Sequence, residues 1–243
     1  IMASSKGLGK AVALELAKEG CNVVICGRNI DTLKNSSEEI SSKSGRECFY
    51  VQGDITSEND RKRILSYSTS KIGSIDILVT NSGGPKPGNF DDHDNEDWSD
   101  AYSLLIESTV SMIRGVLPDM KERNWGRIIT ITSQAVKQPV EGLILSNSVR
   151  SAILGLVKTL SIELGKYNIT VNNVLPGYTL TDRLENLIRQ RGTSLENISV
   201  NVPLKRVGLP NEFAAAVAFL ASEKASYITG VSLPIDGGWI KGI

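Results

Sequence analysis

The feature that most constrains this chain is the alternation, from start to finish, of short β-rich runs with helix-patterned segments. Strand-like runs fall at 21–26 (CNVVIC), 47–51 (ECFYV), 75–80 (IDILVT), 127–132 (RIITIT), 169–174 (ITVNNV) and 231–235 (VSLPI). Between them lie helical stripes, such as Leu8, Val12 and Leu16, and then Val149, Ile153, Leu156, Leu160 and Leu164. Runs this apolar are buried on both faces, and strands separated by helices pair in parallel through right-handed crossovers. The pattern predicts an α/β fold: a doubly wound parallel sheet with helices on both faces, in three α/β/α layers. No repeat, linker or low-complexity stretch interrupts it, so 1–243 reads as a single domain.

Charge narrows the function. Lys plus Arg and Asp plus Glu both number 27, so the broad positive field of a nucleic-acid binder is absent. No run approaches the roughly 18 apolar residues of a membrane span. Cys21, Cys26 and Cys48 form no CxxC pair and no even set, which fits buried free thiols in a reducing cytoplasm.

The segment Ala3-Ser4-Ser5-Lys6-Gly7-Leu8-Gly9 opens the first helix. Glycines there let the backbone approach a pyrophosphate held at the helix N-terminus, although Gly7 and Gly9 alone would also suit a plain tight turn. The strand that should feed this turn is absent, and a few upstream residues are expected to supply it. After the run 21–26, where an acid would bind the ribose 2′-hydroxyl of NAD, the chain reads Gly27-Arg28-Asn29. Each of Arg28 and Lys6 alone reads as a solvated charge; together they suit the 2′-phosphate of NADP. NADP(H) is therefore expected in preference to NAD(H).

These residues resemble the TGxxxGxG turn of the short-chain dehydrogenase/reductase family, with Met2-Ala3 where that family has Thr-Gly. Further motifs follow in register. Gly53-Asp54-Ile55 resembles the adenine-contacting stretch, Thr80-Asn81-Ser82-Gly83 the Asn-Asn-Ala-Gly motif, and Pro176-Gly177 the turn beside the nicotinamide. The resemblance implies a Rossmann-type fold and places Ser4, Ser5, Lys6, Gly7, Leu8, Gly9, Arg28, Asp54, Ile55, Asn81, Gly83, Pro176, Gly177, Thr179 and Thr181 at the cofactor. It also implies a homodimer or homotetramer through the long helices and the C-terminal strand. The pattern is most similar to 3-oxoacyl-(acyl carrier protein) reductases. Ala3 is expected in a turn altered enough to tolerate a side chain.

The family's chemistry uses an asparagine, a serine, a tyrosine and a lysine. Ser133 matches the serine, but Ser146 stands at the tyrosine position, Arg150 at the lysine position and Leu105 at the asparagine position. A positioned general acid is worth about 10²–10⁴ in rate, and an aliphatic hydroxyl donates a proton far less readily than a phenol. Arg150 keeps the positive charge and is expected to anchor ribose. Ser133 on its own would also pass for a strand-end hydrogen bond.

Tyr178 is a substitute proton donor or, equally, a lid residue packing on a ligand. Tyr102 reads as core or interface. His93, in the run Asp91 to Asp97, reads as a solvated loop residue, and no metal site is expected. Arg183, Arg189 and Arg191 in the lid, roughly 178–208, would attract an anionic substrate or simply be solvated.

Three functions follow from these expectations. The leading one is NADP(H)-dependent hydride transfer to or from a small-molecule carbonyl or alcohol. The others are a catalytically silent NADP(H) sensor or scaffold, and non-redox chemistry on the same fold.

Overall fold

A computed structural model describes residues 1–242, with the side chain of Arg191 outside what it describes. Strands β1 (Val23–Gly27) and β2 (Cys48–Gln52) pair in parallel. A second parallel run has the order β3 (Ile77–Thr80), β4 (Gly126–Ile131), β5 (Ile169–Pro176) and β6 (Ser232–Ile235). Residues 1–4 lie between these two parts. Ser4 N donates to Cys26 O at 2.9 Å and Met2 N donates to Val79 O at 3.0 Å. Beside residues 1 and 2, Val23, Val24, Ile77 and Leu78 line a slot of about 280 Å³.

Alternation along the strands divides two cores. Val23, Ile25, Ile129 and Ile131 face one layer, with α1 (Gly7–Lys18), α2 (Ile30–Ser44) and α9 (Pro210–Ala221). Val24, Cys26 and Ile128 face the other, with α3 (Glu58–Ile72), α5 (Ser108–Glu122) and α6 (Ile144–Leu164). Strands that bury side chains on both faces need helices on both faces, which is why the chain forms three layers. The helix α4 (Asn95–Tyr102) precedes α5, and α7 (Asp182–Arg191) and α8 (Leu195–Val200) belong to the lid.

Two helices depart from the sequence expectation. Between α4 and α5 the backbone makes a π-helical turn, Ser103–Glu107, which no feature of the sequence pattern marks. On α6 the buried line is Ser146, Arg150, Ile153, Val157, Ser161 and Leu164, while Val149, Leu156 and Leu160 are half-buried. The buried face of α6 thus carries polar groups toward the sheet's carboxyl edge, which places them at a site and not in a core.

Candidate active site

The predicted nucleotide residues gather at the carboxyl ends of β1, β3 and β5, where ligands bind in doubly wound sheets. Gly7 begins α1 at φ +54°. A Cβ on Gly9 would lie 2.7 Å from Ala3 O and 2.8 Å from Ser4 Cα, so helix and turn meet at a distance only glycine permits. The α1 N-terminus has no side-chain cap and no acid in its first turn, whereas Asn29, Ser57 and Thr181 cap α2, α3 and α7. Its free N–H groups and positive dipole end suit a phosphate.

The surrounding side chains divide by role. Ser4 is fully buried, and its hydroxyl donates to Ile1 O at 2.7 Å, so it shapes the turn and offers no side chain to a ligand. Ser5 is half-buried against Gly27, and Leu8 is half-buried beside the core. Ile55 is a core residue. Asp54 accepts from Thr56 N at 2.9 Å. Its carboxyl is held below the usual range, where those hydrogen bonds and the nearby Arg28 outweigh the opposing effect of burial. Asn81 Nδ2 donates to Ala3 O at 3.0 Å, tying β3 to the turn. Lys6 leans toward Asp182 on the lid at 3.7 Å, while Arg28 is exposed with no ion pair among the described residues.

Ala3 overturns one expectation. Its φ of +44° lies in the left-handed region, so the turn keeps the glycine-like conformation and the alanine carries strain.

At the other wall, Ser133 caps a short turn, and its Oγ accepts from Ala135 N at 3.1 Å, leaving the hydroxyl proton free to donate. Ser146 is buried, and its hydroxyl makes no hydrogen bond among the described residues. Arg150 lies one turn further along α6, 6% exposed. It donates from Nη2 to Gly83 O at 2.9 Å and from Nη1 to Ile131 O at 3.5 Å. Burial, with a smaller push from Arg183, lowers its pKa to about 9. Leu105 is buried in the π-helical turn.

Pro176 ends β5, and Gly177 packs against Asp236 so tightly that a Cβ would sit 2.5 Å from its Cα. Thr179 is buried and bridges to Gly208, and its hydroxyl donates to Gly177 O at 3.2 Å. Thr181 packs over Gly7, with its Cγ2 3.6 Å from the position a Cβ would take. Gln134, beside Ser133, is buried with Oε1 unpaired and faces Gly177. An acceptor buried without a donor fits a ligand bearing N–H groups. Sequence reading missed it, because a lone glutamine carries no motif.

Three further residues moved. Tyr178 sets its ring edge-on against Trp239, 5.8 Å between centroids, and lines a cavity of about 240 Å³ with Asn197 and Asn201. Tyr102 is 56% exposed, so it is not core. The His93 side chain is fully buried, with Nδ1 3.1 Å from Asp97, which overturns the solvated reading: the loop folds its histidine inward under Gly88. Among the cysteines, Cys26 and Cys48 are buried, but Cys21 is half-buried. Among the described residues no cluster could hold a metal, and no helix is long and apolar enough to cross a membrane.

A doubly wound sheet with a glycine turn opening an uncapped helix at its carboxyl edge defines a dinucleotide-binding α/β protein. Comparison sharpens that class. Residues 2–240 match the family described as enoyl-(acyl carrier protein) reductase. The NADPH-dependent reductase BacG of Bacillus subtilis is 35% identical, covering 100% of this chain and 97% of that protein. The 7alpha-hydroxysteroid dehydrogenase of Escherichia coli is 33% identical, covering 99% and 93%. The crystal structure of L-sorbose reductase from Gluconobacter frateurii, complexed with NADPH and L-sorbose, superposes with a TM-score of 0.94 at 31% identity, covering 100% and 96%. The chain belongs to the short-chain dehydrogenase/reductase family and resembles its 3-oxoacyl-(acyl carrier protein) reductases.

Proposed function

We propose that this chain is an NADPH-dependent reductase of small-molecule carbonyl compounds that works without the family's tyrosine and lysine. The observation that carries the reading is a buried guanidinium, Arg150, held between the carbonyls of Gly83 and Ile131 at the end of a cleft built for a dinucleotide. The relatives named for NADPH support the cofactor.

The residues fit that cofactor. The α1 N-terminus with Gly7 and Gly9 takes the pyrophosphate, and Arg28 and Lys6 take the 2′-phosphate. Asp54 and Asn81 flank the adenosine side, while Thr181 and the Pro176-Gly177 turn flank the nicotinamide. When bound, NADPH supplies the hydride. Ser133 donates its free hydroxyl proton as a hydrogen bond to the substrate carbonyl oxygen. Arg150 steadies the negative charge that grows on that oxygen, as preorganised donors do in a site with little water. The proton that completes the alcohol comes from water beside Ser146, whose small side chain leaves room where a phenol would stand. Tyr178, engaged with Trp239, is a wall of the lid.

The joint replacement of three catalytic positions, Leu105, Ser146 and Arg150, favours one second reading, a silent NADP(H) binder. Exposed Ile162, Phe219 and Tyr227 support assembly as a homo-oligomer.

Calorimetric titration with NADPH and NADH tests the cofactor. NADPH is expected to bind more tightly, and Arg28→Ala to weaken it about 10- to 100-fold, the worth of a charge-assisted bond, with little effect on NADH. No binding by either nucleotide would refute the reading.

A further inference from the structure

A second arginine stands in the cleft beside Arg150. Arg183, near the start of α7, reaches back across the cleft onto the bare face of Gly84. A Cβ built on Gly84 would lie 1.7 Å from its Nη2 and 2.0 Å from its Cζ. The two guanidiniums therefore flank consecutive residues, Gly83 and Gly84.

Neither has a carboxylate at ion-pair distance among the described residues, whereas Arg61, Arg123, Arg127 and Arg206 each reach one. Arg183 is exposed at the mouth of the cleft, and the protein packed around its guanidinium lowers its pKa. It also helps depress that of Arg150. Two like charges held close together oppose each other, and an anion between them relieves both.

The cofactor's phosphates have other partners. Thr181 covers Gly7 and Lys6 meets Asp182, so the lid crosses the pyrophosphate position just before residue 183. Arg183 then points onward, toward Gly84 and the wall that carries Arg150. We infer that the substrate is a carbonyl compound bearing a carboxylate, gripped by Arg183 through the paired hydrogen bonds a guanidinium offers. This rests on the reductase reading above. It gives the two cations separate tasks: Arg150 serves the reacting oxygen and Arg183 the substrate's charge.

The test pairs short-chain 2-oxo and 3-oxo acids with their methyl esters, using the full chain, NADPH and the variant Arg183→Met. The wild type is expected to favour acids over esters in kcat/KM by about 10- to 100-fold, and the variant to collapse that ratio toward unity through KM. Equal use of acid and ester by the wild type would overturn the inference. So would weaker NADPH binding in the variant with the ratio intact, which would give Arg183 to the phosphates. If no carbonyl turns over, the reductase reading fails separately, and calorimetry of the NADP⁺ complex with acetoacetate and methyl acetoacetate decides this one. Binding of acetoacetate alone, lost in Arg183→Met, supports it; equal binding of both, or of neither, overturns it.

Discussion

The two walls of the cleft follow different rules. On the glycine-turn wall the family pattern survives as shape: Gly7 keeps a positive φ, Gly9 admits no Cβ, and even Ala3 is bent into the conformation of the glycine it replaces. On the α6 wall the helix forms as well, and in the function we propose Ser146 and Arg150, buried on that helix, stand where the family's chemistry uses a tyrosine and a lysine. A phosphate is bound largely by backbone N–H groups and helix polarity, which many sequences supply. A proton is transferred only by a particular side chain. In the proposed reading, the contrast lets binding and turnover part on one scaffold without disturbing its fold.

Installing the family's tyrosine and lysine probes the comparison with the largest expected effect. The double variant Ser146→Tyr with Arg150→Lys is expected to raise kcat by about 10²–10⁴, the usual worth of a positioned general acid. A rate that stays flat in a variant that still binds NADPH would mean the α6 wall has been rebuilt for other chemistry. The pH profile sharpens the same point. Arg150 loses its charge as pH climbs through about 9. Wild-type kcat/KM is therefore expected to fall on the alkaline side of that value if this cation stabilises the transition state. The sign for stability is opposite. With the folded pKa depressed, the unfolded chain binds more protons above about 9, so this residue's contribution to stability rises with pH from there toward the ordinary arginine range.

The smallest effect lies on the glycine-turn wall. Replacing Ala3 by Gly releases a left-handed alanine and is expected to add about 1 kcal/mol of stability, read by thermal or urea unfolding. A loss of stability would mean the turn is held by the methyl group, not strained by it.

Much of this was legible in the sequence, for physical reasons. The six predicted strand runs overlap β1 to β6, most plainly at β1 and β4, where residues buried on both faces leave a largely apolar run. The glycine turn was readable because motif spacing fixes register. Side-chain direction was not. Arg183 reads as one of several lid charges, and its reach to Gly84 emerges only when α7 is placed against the loop after β3. His93 sits in a run of acids, and its burial depends on the loop that closes over it. Tyr178 follows a known turn, but its partner Trp239 lies near the far end of the chain. The π-helical turn at Ser103–Glu107 leaves the periodicity on either side intact and so escapes a pattern search.

The most direct test of the central claim is transfer of deuterium from NADPH deuterated at C4 to a carbonyl substrate, followed by mass spectrometry of the product alcohol. The account predicts deuterium at the carbinol carbon, at a rate well below that of the Ser146→Tyr, Arg150→Lys variant. Tight NADPH binding with no label in any alcohol, across acids and esters alike, would contradict it and leave a binding protein on a reductase scaffold.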